Sequence, residues 1–151
     1  MVKKADGTWR PCGDYRRLNN ATKPDKYAMP NITDITNVIG ECTVFSKLDL
    51  LKAYFQIPVH PPDQEKTAIT TPFGTFVFKY STFGLKNSGA TFQRLMDIIF
   101  GEFSNAIVYV DDILVFSKSH AEHMQHLKQV LDICRKNGLV LHANKCTLGA
   151  S

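Results

Sequence analysis

Two acids in succession, Asp111 and Asp112, stand between the apolar runs Ala106–Val110 and Ile113–Phe116. Two β-prone runs enclosing a two-residue polar step predict a hairpin with both acids at its tip. Adjacent carboxylates repel, and crowding them requires a compensating cation or donors. Hard oxygen ligands at a strand end suit Mg²⁺, which keeps several waters and takes one or two carboxylates plus substrate phosphates. The same pair also serves plain turns, because Asp tolerates unusual backbone angles and solvates well. Asp49 closes a second apolar run, Val44–Leu48, so its carboxylate meets the hairpin tip if the two strands are neighbours. Three carboxylates arriving from two strands can hold two divalent ions ~3.5–4 Å apart, a pair that activates a 3′ hydroxyl and stabilises leaving pyrophosphate.

The elements that must position these acids follow from periodicity and turn chemistry. Lys3 to Asp14, with Asp6-Gly7 as a turn signal, predicts a hairpin. Ile32, Ile35 and Ile39 fall at helical spacing before Gly40, and Thr43 to Leu50 reads as a strand. Thr67–Thr71 and Thr75–Tyr80 flank Pro72-Phe73-Gly74 as a second hairpin. Ser88 is placed to cap a helix whose Phe92, Leu95, Met96, Ile99 and Phe103 form a core stripe. Ser119 with Glu122 is a capping box, opening a helix that runs to Arg135-Lys136 and stops at Gly138; Leu139–Leu141 reads as a last short strand. The order predicts an α+β fold, an antiparallel sheet covered by helices on one face.

Composition sets the bounds. At 151 residues, 44% hydrophobic and 21% charged, the chain is one domain's worth of ordinary globular sequence, which excludes disorder and a disulfide scaffold. No apolar run approaches the ~20 residues of a membrane span, so no membrane partner is expected and an intracellular setting is. Cys12, Cys42, Cys134 and Cys146 are dispersed, as free thiols in a reducing compartment would be. Residues 1–26 hold seven basic against three acidic residues, with Trp9 and Tyr15 among them, while the rest of the chain balances at eleven against eleven. A phosphate-rich partner favours such a segment. His120, His123 and His126 recur every third residue, which reads as an exposed polar face rather than a metal cluster, and His142 with Cys146 lacks a second pair for zinc.

Five blocks carry a family resemblance. Leu48-Asp49-Leu50 with Ala53-Tyr54-Phe55-Gln56-Ile57, Phe83-Gly84-Leu85-Lys86-Asn87, Ala90-Thr91-Phe92-Gln93-Arg94, Tyr109-Val110-Asp111-Asp112 and the opening Lys4–Arg10 with Asp14–Asn19 follow one order. Together they resemble the reverse transcriptase of gypsy-type long-terminal-repeat retrotransposons. The resemblance implies a right-hand polymerase, RNA-directed and DNA-making, within a polyprotein, acting in the cytoplasm in a retrotransposon particle. It covers a single unit, 1–151, with fingers at about 1–45 and 60–80 and palm at about 46–59 and 81–151; the thumb is absent.

By that resemblance Asp49 and Asp111 ligate two Mg²⁺ ions, with Mn²⁺ as a substitute, and Asp112 completes the cluster. Tyr54 is a steric gate against ribonucleotides, Lys4 and Arg10 hold the triphosphate, Gln93 contacts the template, and Lys145 is the general acid for pyrophosphate. The implied partners are an RNA or DNA template with primer, deoxynucleoside triphosphates, and the thumb and ribonuclease H regions of a parent polyprotein. Ser81-Thr82 and Gly89 depart from the family's prolines, loosening a turn and a helix start. The rival reading is a non-catalytic palm remnant that binds nucleic acid or another protein.

Overall fold

The computed structural model describes residues 2–3, 7, 9–10, 12–28 and 32–151, of which 2–3, 9–10 and 32–34 are described as backbone only. In chain order the elements are β1 (Val2–Lys3), β2 (Trp9–Arg10), α1 (Arg16–Ala21), α2 (Ile32–Ile39), β3 (Val44–Asp49), β4 (Ile69–Thr71), β5 (Gly74–Phe76), α3 (Ser88–Phe100), β6 (Ala106–Tyr109), β7 (Asp112–Ser117), α4 (His120–Lys136) and β8 (Thr147–Ala150). Short 3₁₀ turns cover Ala53–Gln56, Pro61–Thr67 and Ala143–Lys145.

The chain divides into two compact units, Met1–Lys26 with Tyr54–Gly89, and Tyr27–Ala53 with Ala90–Ser151. Residues 27–45 fall in the second unit, where Ile35 and Val38 of α2 line a cavity of about 320 Å³ with Met96, Phe100 and Ile107. Residues 54–59 and 81–89 fall in the first, where Tyr54 and Phe55 both meet Phe83 edge-on and the Ser81 N–H donates to the Ile57 carbonyl.

In the first unit β1 pairs with β2, Lys3 opposite Trp9, and β4 with β5, Ile69 opposite Phe76. The second hairpin is shorter than expected because Thr67 ends a 3₁₀ turn, its hydroxyl donating to the Gln64 carbonyl and accepting the Phe78 N–H. Asn19 clamps the turn at Gly84: its amide donates to the Gly84 carbonyl at 2.7 Å and its oxygen accepts the Lys86 N–H at 2.9 Å. Gly84 has φ +94°, which an L side chain rarely adopts. Ahead of α3, the Ser81 and Ser88 hydroxyls stand 2.8 Å apart and Ser88 also donates to the Thr82 carbonyl. Ser88 is thus the first helical residue, tied back to the preceding turn.

The second unit is built on a four-stranded antiparallel sheet in the order β6-β7-β3-β8. Successive residues of a strand point to opposite faces. One face of β3 carries Val44, Ser46 and Leu48, all buried, opposite Ser117, Val115 and Ile113 of β7. The other face carries Lys47 and Asp49, opposite Leu114 and Asp112. Helix α3 puts Phe92 and Met96 into the core as expected, joined by Phe100. Helix α4 is opened by Ser119, whose Oγ accepts the Glu122 N–H, and closes with Arg135 and Lys136 in its last turn. Leu139–Leu141 makes only a bridge, Leu141 to Leu50, and the closing strand is β8 instead.

The histidine triplet departs from its expected exposed face. His123 is buried, Nε2 2.7 Å from Ser46 Oγ on β3 and Nδ1 2.9 Å from Ser117 Oγ on β7, and His126 Nδ1 approaches the same Ser117 hydroxyl at 2.8 Å. One imidazole thereby ties two central strands to α4. Burial, then the charges of His126 and His120, lower its pKa from the ordinary 6.5, so the unfolded chain binds the proton more readily. Stability from this group is therefore complete above about pH 6.5 and declines as the pH falls below it. Urea unfolding of wild type and His123→Gln from pH 8 to 5 is expected to show a steeper acid loss in wild type; parallel curves would remove His123 as the cause.

Candidate active site

The sheet brings Asp49, Asp111 and Asp112 to one end of its two central strands. Asp49, last in β3, is the register partner of Asp112, first in β7, and Asp112 also faces Tyr109 of β6. The hairpin tip differs by one residue from expectation: the two loop residues are Val110 and Asp111, and Asp112 belongs to the ladder. Val110 has φ +53°, and a positive φ at the first loop position is the backbone normally reserved for glycine in a type II′ hairpin. A β-branched residue held there stores roughly 1–3 kcal/mol of strain, which surrounding bonds must over-determine.

Those bonds come from both sides. The Leu50 N–H donates to the Asp111 carbonyl at 2.8 Å, fixing the loop to the end of β3. From α3, the Gln93 amide donates to the Val108 carbonyl at 2.9 Å and its oxygen accepts the Val110 N–H at 3.4 Å. Gln93 is completely buried and also donates to Asp97 Oδ1 at 2.9 Å. Gln93, expected to contact the template, has its carboxamide enclosed here and bonded to the turn. Behind β3, the Leu51 N–H donates to the Val140 carbonyl and the His142 N–H to the Asp49 carbonyl, both at 2.8 Å.

The compensating charge demanded by three crowded acids is supplied by two lysines. Lys47 Nζ lies 2.9 Å from Asp112 Oδ2, and Lys145 Nζ lies 4.0 Å from Asp49 Oδ2. The hydrogen bond to Asp112, opposed by partial burial and reinforced by the charges of Asp112 and Asp49, raises the Lys47 ammonium pKa above the ordinary lysine value. Sequence reasoning did not single out Lys47. The signal was its place two residues before Asp49, on the same face of an alternating strand. The Asp49 side chain is 21% exposed and the Asp111 Oδ1 atom is shut off from solvent. As side chains stand, no three Asp, Glu, His or Cys groups among the described residues are gathered at metal-holding distances. The donor set itself, hard carboxylate oxygens beside exchangeable ammonium groups, fits Mg²⁺.

Other expected site residues lie in the first unit. Tyr54 is half-buried, its ring 5.4 Å from that of Phe83 at 78°. Arg10 is described by its backbone, paired with Val2, and Lys4 lies outside the described residues. Cys146, half-buried, donates its thiol to the His142 carbonyl at 3.4 Å, a backbone contact that makes no use of the imidazole.

The sequence matches the family described as "Reverse transcriptase (RNA-dependent DNA polymerase)" over residues 2–151. The chain belongs to this reverse transcriptase family. Among its relatives, the transposon Tf2-3 polyprotein of Schizosaccharomyces pombe is 38% identical over 148 residues, 97% of this chain and 11% of that protein. The Pol polyprotein from transposon 297 of Drosophila melanogaster is 37% identical over 152 residues, 97% of this chain and 14% of that one. The reverse transcriptase chain thus spans between a tenth and a seventh of these relatives. Among solved structures, prototype foamy virus protease-reverse transcriptase superimposes with a TM-score of 0.87 at 31% identity, covering 99% of this chain and 20% of that chain. The foamy viral protease-reverse transcriptase in complex with double-stranded DNA gives 0.91 at 26% identity, covering 97% and 26%. The α+β architecture is therefore that of reverse transcriptase fingers and palm.

Proposed function

We propose that this chain is the fingers and palm portion of an RNA-directed DNA polymerase from a retrotransposon polyprotein, transferring nucleotides with two Mg²⁺ ions held by Asp49, Asp111 and Asp112. The observation that carries the reading is the register: Asp49 faces Asp112 while the Asp111 carbonyl is bonded to the residue after Asp49. Held by these three acids, a metal pair would supply Lewis-acid stabilisation of the attacking 3′ oxygen and of the leaving pyrophosphate. Asp49 is held at the end of β3 and Asp111 in the adjoining loop, Lys47 and Lys145 balance the charge of Asp112 and Asp49, and Lys145 would give a proton to pyrophosphate. Lys4 and Arg10 bind the triphosphate, a point charge and a forked donor respectively.

The partners are a primed RNA or DNA template, deoxynucleoside triphosphates and the thumb and ribonuclease H regions of the parent. Foamy viral relatives bound to double-stranded DNA and to an RNA/DNA hybrid support the nucleic-acid partners. The transposon polyprotein relatives favour an intracellular setting. Mn²⁺ would substitute for Mg²⁺ at the same oxygens.

Primer extension on an RNA template tests the reading, with deoxynucleotide addition dependent on Mg²⁺ as the expected result. Binding of primed template without any extension would instead favour the non-catalytic remnant. Tyr54→Ala opens the gate: the ratio of ribo- to deoxynucleotide incorporation is expected to rise by about 10- to 100-fold, since excluding one hydroxyl by shape is worth no more than ~10². An unchanged ratio would strip Tyr54 of that role.

A further inference from the structure

Lys47 raises a question that the proposed reaction leaves open. Its neighbour across the ladder is Leu114, yet its side chain crosses diagonally to Asp112, a separation of roughly 7–8 Å between backbones that a long side chain spans. Like charges directly opposite on a sheet are destabilising, and Asp49 with Asp112 is such a pair. The ammonium of Lys47 relieves that repulsion at 2.9 Å, with both partners about half exposed, 52% and 41%, and so able to exchange. Lys145, at 4.0 Å from Asp49, is the looser of the two cations. A carboxylate oxygen within bonding distance of an ammonium is one that a divalent ion must win from it. The acid of the register pair with the closer lysine is Asp112, and among the described residues the three acids are not gathered around a common point.

We propose that Lys47 is a positioning residue of the acid cluster, a resident cation that engages Asp112 while no divalent ion is bound and must release it for Asp112 to join the ion. This rests on the metal-binding reading above. It adds that the affinity of the site is set by competition between one ammonium and the incoming ion, with Asp49 and Asp111 as the acids that receive the ion first.

Mn²⁺ binding to the whole chain, followed by the loss of the free-ion electron paramagnetic resonance signal, tests both layers. Lys47→Met is expected to tighten binding roughly three- to tenfold, the range that removal of one half-screened positive charge allows. Lys47→Gln supplies the same test if the methionine variant loses its circular dichroism signature. Lys47→Arg keeps the cation and is expected to restore wild-type affinity, and adding Asp112→Asn to Lys47→Met is expected to cancel the gain. Asp49→Asn in the wild-type background is expected to abolish binding. If it does so while Lys47→Met leaves affinity unchanged or weaker, the competition is overturned and the metal site stands. If Asp49→Asn leaves binding intact, the metal reading falls and this inference falls with it.

Discussion

Asp49→Asn is expected to lower nucleotide addition by at least about 10²- to 10³-fold while leaving the fold as stable as before. The size follows from the loss of one ligand oxygen charge at an ion whose stabilisation of the reacting phosphoryl group is worth several kcal/mol, each 1.36 kcal/mol being about tenfold. The stability half follows from the ladder. The backbone of Asp49 is held by the β7 pairing and accepts the His142 N–H, bonds that the amide variant keeps. Its side chain faces a like charge, so neutralising it removes a repulsion between Asp49 and Asp112, while the Lys145 contact it gives up is a loose 4.0 Å. A melting midpoint equal to or above that of wild type, together with lost extension, is the signature of an acid kept for chemistry at a structural cost. Extension within tenfold of wild type would mean that Asp49 holds no ion in the reaction.

Which parts of this arrangement were legible depends on where the physical signal was local. Asp49, Asp111 and Asp112 stood out because each interrupts an apolar β-prone run, a pattern that burial and repulsion make costly. The capped helix α4 and the stripe of α3 were equally local, since both rest on side chains three or four residues apart. β8 was not legible: Thr147-Leu148-Gly149-Ala150 has weak strand propensity, and it pairs through a bulge in which the Gly149 N–H donates to the Ser46 hydroxyl. His123 was misread by grouping it with His120 and His126. Its better partners are Leu127, Val130 and Cys134, at i+4, i+7 and i+11, all buried with it. Lys47 was hidden because an exposed cation on a strand reads as solvated until its diagonal neighbour is known. Gln93 was hidden for the opposite reason: a polar residue beside the apolar stripe of α3 gives no sign that strand β6 covers it.

Gln93 carries the second large effect. Gln93→Met keeps the volume but removes the acceptor for the part-buried Val110 N–H and the donor to the buried Val108 carbonyl. Leaving the buried Val108 carbonyl without a partner costs about 1–3 kcal/mol, so a fall of that size in urea-derived stability is expected. The loss of function should be larger than the loss of stability implies. Val110 is held at φ +53° by these bonds, and once they are gone the β-branched residue relaxes toward ordinary backbone, turning the adjacent Asp111 away from the end of β3. Nucleotide addition is expected to fall more than about tenfold at temperatures where the variant is still fully folded, the equivalent of one 1.36 kcal/mol step. Val110→Gly provides the internal control, because glycine takes a positive φ without strain. In the Gln93→Met background it should recover part of both stability and addition, so the two substitutions are expected to be non-additive, as contacting residues are. The alternative role, contact with a template strand, predicts a different split: weaker primed-template binding, unchanged urea midpoint, and no rescue by Val110→Gly. That outcome would replace the turn-holding role of Gln93 with a surface one, and would require its carboxamide to leave the core.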